Sequence, residues 1–332
     1  MNNTGSNGTG IYPWLSTHWK FFQQRLGLDK LAHALMIEGP EGIGKTALAS
    51  AMVARLLCLE DGEFACGHCR SCKLLAGGAH PDCFHLQPEE DSDVIKVDQV
   101  RALIGKLNLT TSISERKLAF IRPAEAMNAA AANALLKSLE EPAGNTVLIL
   151  VSDNPGRLPV TIRSRCQSIA IYQPDSRLVL DWLQASSSKP AEKVRDALQA
   201  AGGSPLRAAR YLDSPDLDAF AQVRQGLANA LKRPGSVSVV STELNALDPS
   251  DLWRWLSICT GEVIKSRLLD EPVNWLPDNL QLHDKMLLQL QRQADINRLL
   301  AATPVRGVLL WQDWLIRWAE QGIRTAGFDQ GR

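Results

Sequence analysis

Apolar positions follow two regimes along the chain. Between residues 34 and 172, short apolar runs alternate with amphipathic stretches. The runs at 34–38, 117–121 and 146–151 are aliphatic-rich and bounded by polar, Gly or Pro residues, which predicts buried strands. Weaker runs around 85–86 and 168–172 predict two more. Residues 46–57, 97–107 and 129–140 carry helical spacing, the last stopped by Pro142. Strands alternating with helices predict an α/β domain on a parallel sheet. A helical pattern over 12–31 precedes it, with Trp14, Trp19, Phe21, Phe22 and Leu26 as expected buried positions.

After Pro174 the strand signal fades. Residues 176–185, 190–200 and 205–212 read as three short helices, and the chain reads as helical from 216 to near its end. The boundaries expected are an α/β domain at 11–173, a small three-helix domain at 174–212 and an all-α domain at 213–330. The last holds six of the nine tryptophans: Trp253, Trp255, Trp275, Trp311, Trp314 and Trp318. A helical core accounts for them, and so does a core with a partner-facing surface.

Composition narrows the class. The formal net charge is zero and the pI about 7.0, which excludes a broadly basic nucleic-acid coat. The apolar runs are too short to span a bilayer, so no membrane role is expected. Residues 1–10 lack a basic n-region and read as a disordered leader, not a signal peptide, so the chain is expected to be cytoplasmic. Thiols stay reduced there, and the seven cysteines are not read as a disulfide framework.

Gly39-Pro40-Glu41-Gly42-Ile43-Gly44-Lys45-Thr46 fits G-x-x-x-x-G-K-[ST] in full, between an expected strand and an expected helix. Gly39, Gly42 and Gly44 allow backbone N–H groups to curl around phosphate oxygens, and the helix N-terminus adds a positive dipole. Lys45 would reach the β- and γ-phosphates of ATP, and Thr46 would ligate magnesium. A glycine-rich turn without a ligand is the plainer alternative. A working ATPase also needs acids at the end of a second strand, one for the magnesium and one for the attacking water. The run 117–121 is followed instead by Arg122-Pro123. Glu125 lies two residues further on, where its use would need a rearranged strand end. Weak or absent ATPase activity of the isolated chain is therefore expected.

Cys58, Cys66, Cys69 and Cys72 have the spacing C-x7-C-x2-C-x2-C in a segment (58–72) that looks inserted. Four thiolates favour tetrahedral, structural zinc with no open position. His68 lies within the knuckle and is not needed as a ligand. Cys83, Cys166 and Cys259 are expected to be ordinary buried thiols.

The phosphate loop, the cysteine cluster, the stretch Asn133-Ala134-Leu135-Leu136-Lys137-Ser138-Leu139-Glu140-Glu141-Pro142 and Ser164-Arg165-Cys166 occur here in one order. Together they resemble the clamp-loader branch of the AAA+ family, strongly over residues 11–212. The resemblance implies a P-loop (AAA+) domain, a helical lid domain and a helical collar for oligomerisation. It implies a hetero-pentameric ring with gamma/tau motor subunits and a delta subunit. That ring loads a sliding clamp onto primer-template DNA for DNA polymerase III. Arg122-Pro123 departs from the motor pattern and points to a non-motor stator. Arg165 would then be an arginine finger, acting in trans on ATP held by a neighbouring motor. Arg207, in Gly202-Gly203-Ser204-Pro205-Leu206-Arg207, resembles the sensor-2 position facing the chain's own nucleotide. Ser152 or Asn154 falls at the sensor-1 position. For these last two, a plain surface role fits equally well.

Two other readings compete. An intact phosphate loop also fits an independent P-loop ATPase acting on DNA. The cysteine cluster also fits a zinc-dependent nucleic-acid module, although Arg70 and Lys73 are the only fixed cations close to it.

Overall fold

In the computed structural model, residues 11–270, 272–276, 282–300 and 307–326 are described. The leader at 1–10 and parts of the 213–330 region lie outside them.

A single 3-10 turn, Pro13–Leu15, leads into α1 (Ser16–Gly27). Then follow β1 (Ala34–Glu38), α2 (Lys45–Leu57), α3 (Arg70–Ala76), β2 (Cys83–Leu86), α4 (Val97–Leu107), β3 (Lys117–Ile121), α5 (Ala129–Glu140), β4 (Thr146–Ser152), α6 (Val160–Arg163) and β5 (Gln167–Ala170). The five strands form one parallel sheet in the order β2-β3-β4-β1-β5. In register, Glu38 lies beside Ser152, and Ile121 beside Leu150. β3 and β4 are buried at every residue, as expected of central strands covered on both faces.

Strand alternation divides the core in two. Leu35, Ile37, Leu118, Phe120, Val147, Ile149 and Val151 pack on the α2 side. Met36, Ala119, Ile121, Leu148 and Leu150 pack on the α4–α5 side. α5 starts where the Asn128 side chain accepts the N–H of Ala131, an N-cap that satisfies an otherwise orphaned donor.

Two expectations are adjusted. Of the positions read as buried over 12–31, Trp19 and Phe22 are buried, Trp14 and Leu26 are half-buried, and Phe21 is exposed. The Arg25 guanidinium lies 5.2 Å from the Phe21 ring centroid. The cysteine-rich segment, read as inserted and without a helix assigned to it, runs into α3 at Arg70.

The chain divides into two compact units. The first, residues 1–190 and 203–207, holds the sheet and α7 (Ser176–Ser186). The second, residues 191–202 and 208–332, is helical in its described part. It is built from α8 (Ala191–Ala200), most of α9 (Pro205–Leu212), α10 (Asp216–Lys232), α11 (Val237–Leu244), α12 (Pro249–Leu269), α13 (Asp284–Leu300) and α14 (Gly307–Ala326). Trp253, Trp255, Trp311, Trp314 and Trp318 are all buried in it. Their size serves the core: Trp318 Nε1 donates to Leu227 O at 3.0 Å, Trp314 Nε1 to Leu290 O at 2.9 Å, and the two indoles stack. Trp275 keeps partial exposure and donates to Glu262 at 3.0 Å.

Candidate functional site: a phosphate loop, a four-thiol knuckle and a partly exposed arginine

The loop after β1 turns on glycines that no other residue replaces without strain. Gly44, the N-cap of α2, has φ 95°, and Gly42 has φ 77°. A Cβ on Gly42 would lie 2.2 Å from Ser204 Oγ. Residues 203–207 close over the loop: Ser204 Oγ donates to Glu41 O at 3.1 Å, and Leu206 N–H donates to Gly42 O at 3.0 Å. Arg207 is paired at 2.6 Å with the Glu41 carboxylate, so it stands against the loop itself. Trp14 Nε1 donates to Ile43 O at 2.8 Å from the other side.

Lys45 is buried, and its ammonium donates to Pro40 O at 2.5 Å and is ion-paired with Asp153. The sequence reading placed attention on Ser152 and Asn154 and missed Asp153. Ser152 is fully buried and its Oγ accepts the N–H of Asn154 at 3.2 Å; Asn154 is exposed. The signal was available in the alternation of β4: Val147, Ile149 and Val151 face α2, so the next residue of that series is Asp153.

Arg122 and Pro123 follow β3 with no acid between strand and turn. Glu125 sits in the turn Ala124–Ala126, and its Oε1 accepts the N–H groups of Asp153 and Asn154, both at 2.9 Å. It braces the end of β4. Glycines, helix N-terminus, Lys45 and Thr46 fit a triphosphate; the carboxylates that would manage a divalent ion and its water are not gathered beside Thr46 in the way hydrolysis needs.

At the far end of α2, the four thiol sulfurs of Cys58, Cys66, Cys69 and Cys72 lie within 4.8 Å of one another. Cys58 caps α2, and Cys69 caps α3 with its sulfur accepting the Cys72 N–H at 3.4 Å. The Cys66 and Cys72 sulfurs are 4.0 Å apart. A tetrahedral ion with bonds of about 2.3 Å needs sulfurs about 3.8 Å apart, so the donor set fits one metal ion with slight closure. Backbone N–H groups of Cys66 and Cys69 also point at sulfurs, at 3.4 and 3.3 Å, as suits thiolates. The thiols are unequal. Burial pushes Cys72 up to about 12, helped by the neighbouring Cys69 and Cys58 side chains. Burial also pushes Cys69 upward, but N–H donors from Cys72 and Leu59 outweigh it and hold that thiol down at about 6. A dication would offset the burial that keeps Cys66 and Cys72 protonated. His68 is exposed and lies 3.5 Å from the Glu60 carboxylate.

A buried polar network ties this knuckle to the sheet. Asp82 N–H donates to His80 Nδ1 at 3.1 Å, so the ring proton sits on Nε2, 2.8 Å from Ser71 Oγ. Ser71 and Ser114 hydroxyls both donate to Leu57 O, at 2.6 and 3.1 Å. Asp82, fully buried, accepts the N–H groups of Ser112, Ile113 and Ser114 at 2.7–3.0 Å. The Ser71 proton points at a carbonyl, not at histidine, so the trio is structural and not nucleophilic.

Arg165 follows α6. Its Nε donates to Glu140 Oε1 at 2.6 Å and its Nη1 to Thr161 O at 3.0 Å, with a third of the side chain exposed. Cys166 is half-buried, and Cys259 is fully buried in the helical unit. Among the described residues, no helix is long and apolar enough to cross a membrane.

A complete phosphate loop leading off an inner strand of a five-stranded parallel sheet defines a P-loop α/β domain. A family described as DNA polymerase III, delta subunit, matches residues 14–175. DNA polymerase III subunit delta' of Pseudomonas aeruginosa is 39% identical, across 93% of this chain and 97% of that one. The subunit delta' of Yersinia pestis is 33% identical, across 96% and 97%. A DNA polymerase III gamma subunit-related protein of Thermotoga maritima superposes with a TM-score of 0.49 at 17% identity, covering 93% of this chain and 99% of that one. The chain belongs to the DNA polymerase III subunit delta' family.

Proposed function

We propose that the chain is the non-motor stator of a clamp-loader ring. It loads a sliding clamp onto primer-template DNA for DNA polymerase III, beside gamma/tau motor subunits and a delta subunit, in the cytoplasm. The observation that carries this is the pairing of a complete phosphate loop with a β3 end that reads Arg122-Pro123. Membership of the delta' family supports it. Little or no ATP is turned over by the chain alone, because neither a magnesium-holding aspartate nor a water-polarising glutamate follows β3.

Arg165 acts in trans. Presented beyond α6, its guanidinium stabilises charge developing on the γ-phosphate of ATP bound by the adjacent motor, a contribution of about 10³–10⁵ in rate at that site. Glu140 holds it in the meantime. Residues 11–173 form the P-loop domain, 174–212 the lid and 213–330 the collar that holds the ring. Cys58, Cys66, Cys69 and Cys72 hold a structural zinc ion. Gly39, Gly42, Gly44, Lys45, Thr46 and Arg207 form the cradle for the chain's own nucleotide.

The test is a reconstituted loader carrying Arg165→Ala. Assembly is expected to persist, with clamp- and DNA-stimulated ATPase falling by the share of the adjacent motor site. Unchanged turnover in an intact complex overturns the finger role. Turnover of ATP by the purified chain, lost in Lys45→Ala, would instead favour an independent ATPase.

A further inference from the structure

The end of β3 presents a cation where a hydrolytic P-loop domain presents a carboxylate. Arg122 and Phe120 share the α2 face of the sheet, and the guanidinium lies 5.6 Å from the Phe120 ring centroid. Together with Thr46, Pro123 and Asp153, Arg122 lines a cavity of about 340 Å³. This is the space beside the hydroxyl that would ligate magnesium, reached across β4 from the phosphate loop.

The donor set of that space is wrong for magnesium. The ion demands about six oxygens near 2.1 Å and is held by one or two carboxylates plus the phosphates. Asp153 is the one carboxylate lining the cavity, and Lys45 already engages it. Glu125 is committed to the backbone of Asp153 and Asn154. A guanidinium, always charged, repels a dication placed beside it. The same group suits phosphate well: its planar donors meet two phosphate oxygens at once, and such charge-assisted pairs are the strong ones. Lys45, Arg122 and the N-terminus of α2 together neutralise much of a triphosphate without a metal. Asp153 is then a resident competitor, occupying the Lys45 ammonium until a more highly charged anion displaces it.

We infer that the phosphate loop takes its nucleoside triphosphate as the metal-free anion, with Arg122 in the place of the divalent ion and Asp153 yielding Lys45 to the phosphates. This rests on the reading of the loop as a nucleotide cradle. It also gives the chain a nucleotide that cannot be turned over, since no metal or activated water accompanies it.

The experiment is calorimetric titration of the full chain with ATP, once in EDTA and once in excess magnesium chloride. Binding in EDTA is expected to be at least as tight as in magnesium. Arg122→Ala and Arg122→Gln should each weaken the EDTA affinity about tenfold, the scale of one charge-assisted contact. Asp153→Asn should tighten binding in both buffers. Arg122 is exposed, so its variants should keep the wild-type melting temperature, which is read alongside. Binding at least tenfold tighter in magnesium, or unchanged by the Arg122 variants, overturns the inference and leaves the cradle standing. No binding by wild type or by Asp153→Asn in either buffer removes the cradle and the inference together. The stator role is judged apart from both, by the Arg165→Ala ATPase.

Discussion

Glu125 receives the backbone N–H of Asp153 at 2.9 Å, so the turn after β3 fixes the residue that faces Lys45. The same oxygen receives the N–H of Asn154. Glu125→Leu removes both bonds. Water can reach these groups, so the expected loss is about 1 kcal/mol, less than for fully buried donors. Urea denaturation monitored by circular dichroism measures it, and an unchanged midpoint would show that the brace is idle.

The polar network behind the cysteine knuckle makes stability depend on pH. Burial holds His80 below the ordinary histidine value, with the Asp82 charge opposing only in part. Its neutral form is the folded form, so its contribution is present above the unfolded value near 6.5 and is lost as pH falls from there through the lowered folded value. Burial pushes Asp82 upward, but three backbone donors outweigh it and lower its value, so its share is lost only at more acid pH. The difference in unfolding free energy between wild type and His80→Gln should shrink steadily as pH drops from 7 toward 5. Asp82→Ala, which orphans three N–H groups, should lose about 3 kcal/mol or more at neutral pH.

Metal analysis of the purified chain should return one zinc ion per molecule. Chelation, or Cys69→Ser, should lower the melting temperature by several degrees, since binding energy at a structural site is folding energy. A metal-free chain with an unshifted melting curve would rule the zinc out as a structural element.

In the helical unit, Arg224 grips both oxygens of Glu262 at 2.7 and 2.8 Å, lies 4.4 Å from the Phe220 ring centroid, and shares Glu262 with Trp275. Both side chains are about five-sixths buried. Truncating one, Glu262→Ala, should cost about 3 kcal/mol because the other charge is stranded. Replacing both with apolar residues should cost far less, a non-additivity that a double-mutant cycle in urea reads directly.

Much of this was legible in the chain itself. The runs at 117–121 and 129–140 gave β3 and α5 to the residue, because after Lys117 the central strand is apolar to its end and helices stop before proline. α3 was not legible: seven residues, one of them fixed by the knuckle, are too few to show a helical period. Phe21 was misplaced because a helix carrying Phe21 and Phe22 side by side can bury only one of them against the sheet. The phosphate loop and the thiols were read from spacing, since local geometry dictates them. The Lys45–Asp153 pair joins residues more than a hundred positions apart, and only the parallel pairing of β1 with β4 brings them together.

Gly44 and Cys58 cap the two ends of α2, so one helix of thirteen residues, about 20 Å long, separates the phosphate loop from the thiol knuckle. Leu48, Ala49, Met52, Val53, Leu56 and Leu57 are buried along its whole length. A rod bolted down at every turn does not transmit slack from one end to the other. Stripping an ion from the knuckle should therefore loosen only the last turn and leave the phosphate loop at the opposite tip as it was.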